Sequence, residues 1–143
     1  MSPSKYAFFF YGTLMDPKVL EIVIGENYTN LRQQPGILGD FKRSIVKGAD
    51  YPAIIPSSGN QVDGIFVEGI TTEGKACLDD FEDDDYRYKR VNVSLSGGRE
   101  VCALVYIAGP EMLLEDRDWN MDDWKVNHRP AFLKKLKLGM KVY

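Results

Sequence analysis

The apolar run Phe8–Phe10 and the turn Tyr11–Leu14 after it constrain the fold of this chain more than any other segment. An aromatic, apolar run of this kind is typical of a short buried strand, and Asp16-Pro17 favours the beginning of a helix. The sequence therefore predicts a buried strand that delivers a glycine turn close to a helix N-terminus. Backbone N–H groups and the positive end of a helix dipole suit such a turn to a small anion.

The rest of the chain has the pattern of an α+β domain. We predict short strands over Tyr6–Phe10, Leu31–Ile37, Phe41–Val46, Ala53–Ile55, Val62–Val67, Tyr86–Leu95 and Glu100–Ile107. Pro35-Gly36 interrupts the second strand, and Ser57–Asn60 is predicted to be a loop. Helices are expected over Pro17–Ile24, from Thr71 or Thr72 to Phe81, and from Asp122 or Asp123 onward, where Pro130 interrupts or restarts the helix. Most strands follow one another through turns, which favours a mixed or antiparallel sheet, with closure into a barrel as one arrangement.

Length and charge restrict the classes of protein that this chain can belong to. The 143 residues suffice for one domain, which we place at residues 6–143 after a flexible tail of residues 1–5. A net charge of -3 provides no electrostatic reason to bind nucleic acid or an anionic membrane. Neither a signal peptide nor an apolar stretch of about 18 residues is evident. We expect a cytoplasmic protein, and a monomer, because no long amphipathic stripe remains unassigned.

The cysteine and histidine content argues against several kinds of site. Cys77 and Cys102 match no zinc spacing, and we expect buried free thiols, with one disulfide as the alternative. His128 is the only histidine, which makes a Ser-His-Asp or Cys-His mechanism improbable. The run Asp83–Asp85 lacks the spaced ligands of a calcium loop, and no phosphate-binding or dinucleotide-binding glycine motif occurs. We therefore expect neither a metal nor another cofactor.

A dense group of carboxylates lies at the end of the second predicted helix. For most of these residues a solvated acidic turn is the ordinary interpretation; they are Asp79, Asp80, Glu82, Asp83, Asp84 and Asp85. A helix C-terminus, neighbouring like charges and burial would each raise the pKa of one carboxylate turned inward, as a general acid or base near neutral pH requires. Glu82 is the best placed, because it follows Phe81, the last residue of the apolar helix face.

Several of these motifs together resemble one family. Tyr11-Gly12-Thr13-Leu14 is similar to the "YGTL" loop of the gamma-glutamylcyclotransferase-like family, in the branch with plant avirulence-induced proteins and gamma-glutamylamine cyclotransferases. The segment from Leu78 to Glu82, followed by Tyr86-Arg87, resembles that family's "LDxFEG…YxR" pattern. Tyr51-Pro52-Ala53 resembles its "YPA" element. The likeness extends from Tyr6 to about Leu136, including the segment around Trp119 and Trp124.

The resemblance implies a fold and a reaction. The fold is a small twisted β-barrel with helices packed outside and a cavity at one side. The reaction is the attack of a substrate's α-amine on its own γ-carbonyl, which forms 5-oxoproline and expels an amine, amino acid or peptide. The family's essential glutamate corresponds to Glu82, as general acid and base. Backbone N–H groups of Gly12, Thr13 and Leu14 are the expected donors to the substrate, and the candidate lining residues are Tyr11, Tyr51, Tyr88 and Tyr106.

One departure keeps other functions open. Asp83 stands where the family has glycine after the glutamate, which adds a charge next to the expected base. A non-catalytic small-ligand binding module on the same fold is the alternative, and an acidic protein-interaction domain is a third interpretation. A fourth keeps the cavity but cleaves another amide. The sequence does not choose the leaving group, which we expect loops such as 57–60 and 83–85 to select.

Overall fold

Five strands and four helices make up the part of the chain that the computed structural model describes, residues 5–82 and 85–140 without the side chains of residues 26 and 27. The strands are β1 (Lys5–Phe10), β2 (Arg32–Ile45), β3 (Pro52–Thr71), β4 (Tyr86–Leu95) and β5 (Glu100–Ala108). The helices are α1 (Pro17–Ile24), α2 (Thr72–Phe81), α3 (Met121–Asn127) and α4 (Arg129–Lys137). Short 3-10 turns lie at Thr13–Met15, Gly25–Asn30 and Ser96–Gly98.

The strands close into a small barrel in the order β1-β3-β2-β4-β5. Neighbouring strands run antiparallel, except that β1 meets β5 in parallel through Phe8 and Leu104, which completes the ring. The β4–β5 hairpin turns at Gly97-Gly98, as the sequence predicts. The predicted α+β class, with a mixed sheet curled into a small barrel, is therefore confirmed. Lys5, which we assigned to the N-terminal tail, instead begins β1 and pairs with Thr71.

The central strands are longer than the sequence indicates. The two strands expected on either side of residue 40 form one strand, β2, and Pro35-Gly36 does not interrupt it. The predicted loop Ser57–Asn60 lies inside β3, where it bulges opposite Asp40. The N–H of Gly59 donates to Asp40 Oδ1 at 3.0 Å, and both residues have positive φ. These predictions were wrong because pairing between two long strands outweighs local turn preferences, which produce a bulge instead of a loop.

The helices begin close to where the sequence places them. Asp16 caps α1, and its carboxylate accepts from the N–H groups of Lys18 at 2.9 Å and Val19 at 3.4 Å. Thr71 caps α2 through the N–H of Gly74 at 3.0 Å. Asn120 caps α3, rather than the expected Asp122 or Asp123, because the helix begins at Met121 and Asn120 Oδ1 accepts from the N–H of Asp123 at 2.9 Å. Pro130 restarts the chain as α4.

Side chains of alternate residues pack on the two faces of the barrel wall. On β1, Phe9 packs with the interior cluster around Val93 and Val105, whereas Phe8 and Phe10 pack with the helices. The interior is full: a Cβ at Gly64 would lie 2.3 Å from Phe10 O and 2.5 Å from the Phe9 ring. The predicted burial of both thiols was wrong; they are free and exposed, since Cys77 and Cys102 face away from both clusters.

Candidate functional site

A cavity of about 310 Å³, partly open to solvent, lies where β1 leaves the barrel. That volume includes space that is open to solvent, so the enclosed part of the cavity is smaller. Its lining comes from β1 and the turn after it, the beginning of β3, the end of α2 and the β4–β5 hairpin: Phe9, Phe10, Tyr11, Gly12, Thr13, Leu14, Pro52, Glu82, Tyr86 and Tyr106. Four elements distant in sequence therefore meet at one site.

Glu82 is the one charged residue among those that the structure describes around this cavity. It ends α2, where its N–H donates to Leu78 O at 3.0 Å, and it is only 9% exposed. Leu78 is fully buried, so the helix is packed down on the barrel at the turn before Glu82. The neighbouring Asp79 and Asp80 are exposed. Asp83 and Asp84, for which we predicted an effect on the base or the leaving group, lie outside the described residues.

The turn Tyr11–Leu14 approaches Pro52 across the cavity. A Cβ on Gly12 would lie 2.9 Å from Pro52 Cγ, so glycine is what allows this approach. Thr13 and Leu14 are buried and begin a 3-10 turn. The N–H groups that begin a helical turn have no carbonyl partner within it, which makes this part of the lining suited to donate to a ligand.

Three tyrosine hydroxyls in the lining donate to protein acceptors. Tyr11 Oη donates to the Tyr106 carbonyl at 2.7 Å, and Tyr86 Oη donates to the Pro52 carbonyl at 2.6 Å. Tyr106 Oη donates to Asp79 Oδ1 at 2.9 Å. Burial, and next the negative charge of Glu82, raise the pKa of the Tyr11 hydroxyl well above its ordinary value. Tyr11 therefore stays protonated, and it lines the same cavity as the glutamate.

Two arginines bind the chain on either side of this turn, at Tyr11 and at Asp16. Arg43 on β2 donates through Nη1 to the Tyr11 carbonyl at 3.0 Å, and through Nε to Asp118 at 2.8 Å. Arg129 on α4 donates to the Asp16 carboxylate through Nε and Nη2. Burial would raise the pKa of Asp16, but the hydrogen bonds and charge of Arg129, with the capped backbone, hold it below its ordinary value. The site turn is thus held by contacts from elements far away in the sequence.

The structure brings together most of the candidate site residues. Glu82, Tyr11, Gly12, Thr13, Leu14 and Tyr106 all line the cavity, whereas Tyr51 and Tyr88 do not. Tyr51 is buried in the core beside the cavity-lining Pro52. Tyr88 is 44% exposed; its ring packs beside Tyr106, with 5.0 Å between ring centroids, and Lys75 Nζ lies 4.6 Å from its centroid.

The sequence analysis did not select four lining residues: Phe9, Phe10, Pro52 and Tyr86. A signal for two of them was present, because Pro52 lies in the Tyr51-Pro52-Ala53 motif and Tyr86 in the Tyr86-Arg87 motif. From these two segments the sequence predicted Tyr51 and Tyr88 as lining residues, and the cavity is lined by Pro52 and Tyr86 instead. Phe9 and Phe10 had no such signal, since they resemble any aromatic strand residue.

Comparison with known proteins identifies relatives of this chain. Residues 8–126 match the sequence model of a family described as "Gamma-glutamyl cyclotransferase, AIG2-like". AIG2-like protein D of Arabidopsis thaliana is 32% identical over 140 residues, which cover 94% of this chain and 88% of that protein.

Solved structures show the same fold. A solution structure from Arabidopsis thaliana has a TM-score of 0.69 at 23% identity, over 96% of this chain and 82% of that one. A structure named gamma-glutamyl cyclotransferase has a TM-score of 0.64 at 17% identity, over 94% and 87% of the two chains. Within the described part of the chain, the helices are too short or too polar to cross a membrane.

Proposed function

Because the chain belongs to the gamma-glutamyl cyclotransferase, AIG2-like family, we propose that it converts a γ-glutamyl compound to 5-oxoproline with release of an amine or amino acid. The observation that carries this proposal is the position of Glu82. Among its described residues, the acidic segment contributes one nearly buried carboxylate to a cavity that the turn Tyr11–Leu14 also lines. Every lining residue comes from one chain, so we also propose that a monomer suffices for activity.

The proposed reaction requires few catalytic groups from the protein. The attacking nitrogen belongs to the substrate, so the lining requires no serine or cysteine nucleophile. Holding the γ-glutamyl group in a folded conformation places its α-amine next to its own γ-carbonyl and lowers the barrier by proximity. In our proposal Glu82 removes a proton from the α-ammonium group and later delivers it to the departing nitrogen. The γ-carbonyl carbon forms one C–N bond and loses another, so no oxidant or cofactor takes part.

The turn at Gly12, Thr13 and Leu14 is our proposed binding site for the anionic parts of the substrate. No arginine, lysine or histidine lies among the described residues of the lining, so the donors that we propose are backbone N–H groups. The close approach of Gly12 to Pro52 would fix the position of the turn that carries them. Preorganised donors of this kind stabilise an oxyanion more than water does, because they need not reorient during the reaction.

Mass spectrometry of 5-oxoproline tests the proposal. The purified protein is incubated with γ-glutamyl dipeptides, glutathione and γ-glutamyl-lysine, alongside Glu82→Gln. Glu73→Gln is the matched control, since Glu73 lies at the other end of α2, in its first turn. We expect product from the wild type and from Glu73→Gln. Glu82→Gln, which keeps the shape but cannot accept a proton, should lose at least about a hundredfold in rate.

The substrates consumed would identify the leaving group. Full activity in Glu82→Gln would refute the proposed mechanism. If no protein forms product, titration calorimetry with 5-oxoproline separates the alternatives: binding without turnover would support a ligand-binding module instead of an enzyme.

A further inference from the structure

Asp79 connects the end of α2 to the wall of the cavity. It lies one helical turn before Glu82, and its Oδ1 accepts the Tyr106 hydroxyl at 2.9 Å. Its Oδ2 accepts from Lys75 Nζ at 3.0 Å, and Lys75 is in turn 3.3 Å from Tyr88 Oη. The Asp79 side chain is 38% exposed, so one oxygen faces the protein interior while the other belongs to a surface ion pair.

Tyr106 transmits this contact to the rest of the site. It is 6% exposed, lines the cavity, and its ring stacks on Phe8 with 5.5 Å between ring centroids. Its carbonyl accepts the Tyr11 hydroxyl at 2.7 Å. One residue thus receives a hydrogen bond from the site turn through its backbone and donates one to α2 through its side chain. Loss of the Asp79 carboxylate would therefore alter the position of Tyr106 and, through it, that of Tyr11, which lines the same cavity as Glu82.

The direction of these hydrogen bonds has a chemical consequence. A tyrosine hydroxyl has one proton, so a hydroxyl that donates to a protein acceptor can only accept from a ligand. Asp79 takes the proton of Tyr106, and backbone carbonyls take those of Tyr11 and Tyr86. Of the three acceptors, only Asp79 is a side chain. Without it, the Tyr106 hydroxyl loses the acceptor that sets this direction.

We propose that Asp79 is a positioning residue for the reaction. This proposal rests on the proposed function. It fixes the Tyr106 hydroxyl as an acceptor, and through Tyr106 it holds the end of α2 that carries Glu82 in register with the site turn. Asp79 itself does not line the cavity. It acts on the substrate's ammonium group only through the residues that do.

Four single variants and one double variant test this role kinetically. Asp79→Ala should lower kcat by about tenfold or more, because small displacements of reacting groups are costly. Asp79→Asn should recover much of that loss, since an amide oxygen still accepts from Tyr106. Asp80→Ala is the matched control on the exposed side of the same helix and should match the wild type. Tyr106→Phe should lower kcat, and adding Asp79→Ala to it should cause little further loss. Equal kcat in Asp79→Ala and Asp80→Ala, or fully additive losses, would overturn the proposal.

An activity-independent measurement separates this proposal from the proposed function. If the wild type forms no 5-oxoproline, the proposed function fails, but the network remains measurable by NMR of protein labelled with ¹³C in its tyrosine rings. Asp79→Ala should shift the ring signals of both Tyr106 and Tyr11, while Asp80→Ala leaves them in place. Unmoved signals in Asp79→Ala would refute the positioning role, whatever the activity assay shows.

Discussion

Replacing Asp16 by asparagine separates two roles of one buried carboxylate. Asp16 is 2% exposed; it caps α1 and pairs with Arg129 on α4. Asparagine is as good an N-cap as aspartate, so Asp16→Asn keeps the cap and removes only the charge of the pair. Breaking a fully buried ion pair costs about 3–5 kcal/mol. The Arg129 side chain is 34% exposed and can rehydrate, which reduces the expected cost to about 2 kcal/mol. Asp16→Ala also loses the cap and should cost about 3 kcal/mol.

Urea unfolding followed by circular dichroism at pH 6.5 and pH 3 measures this cost. The folded-state pKa of Asp16 is lowered from 3.8, so its contribution is complete above about pH 4 and is lost as the pH falls through the folded-state pKa. The difference between wild type and Asp16→Asn should therefore narrow at pH 3. Asp116→Asn is the control, because the Asp116–Lys42 pair is 3.4 Å long and Asp116 is 99% exposed. That variant should change stability by less than about 0.5 kcal/mol. The reasoning is refuted if Asp16→Asn matches Asp116→Asn at pH 6.5, or if the difference does not depend on pH.

Two glycine substitutions test the packing around the cavity. Gly12→Ala places a methyl group 2.9 Å from Pro52 Cγ, so the turn and Pro52 must move apart and the cavity should widen. We expect kcat/KM to fall by about tenfold or more, whereas the free energy of unfolding in urea should fall by only about 1–2 kcal/mol. A stable variant with unchanged kinetics would contradict this. Gly64→Ala meets the Phe10 carbonyl at 2.3 Å, which cannot move aside, and should cost about 3 kcal/mol or prevent folding. Gly39→Ala, with no atom within 4 Å of its Cβ, should be close to neutral, and equal stability of the two variants would count against the packing account.

Much of the local structure could be read from short-range signals. The strand at Tyr6–Phe10, the helix from Pro17 to Ile24 and the hairpin at Gly97-Gly98 are within one residue of their predicted positions. For the helix and the hairpin the deciding interaction is local: a proline in the first helical turn with a capping carboxylate, and a pair of glycines with positive φ. The motifs around Gly12 and Glu82 also pointed to the site, because the residues that line it lie in contiguous segments.

The errors occurred where distant partners decide the outcome. Ser57–Asn60 has the composition of a loop, yet β2 pairs on both sides of it and turns it into a bulge. Cys77 has the spacing of a buried helix face but is exposed, since the helix packs mainly through Leu78 and Gly74. Tyr88 and Tyr86 lie two residues apart on one strand, so alternation along the strand does not distinguish them, and only the tertiary structure shows that Tyr86 lines the cavity.

The sequence by itself determined the local features: where the first strand ends, where α1 and α2 begin, and which acidic residue follows an apolar helix face. The tertiary structure alone decided that Glu82, Gly12, Pro52 and Tyr106 meet at one cavity, and that arginines from β2 and α4 hold its turn. The physical reason is the sequence separation over which the deciding interactions act. Caps and turns depend on hydrogen bonds within a few residues, whereas a cavity depends on barrel closure and on pairs up to 113 residues apart, which no local pattern encodes.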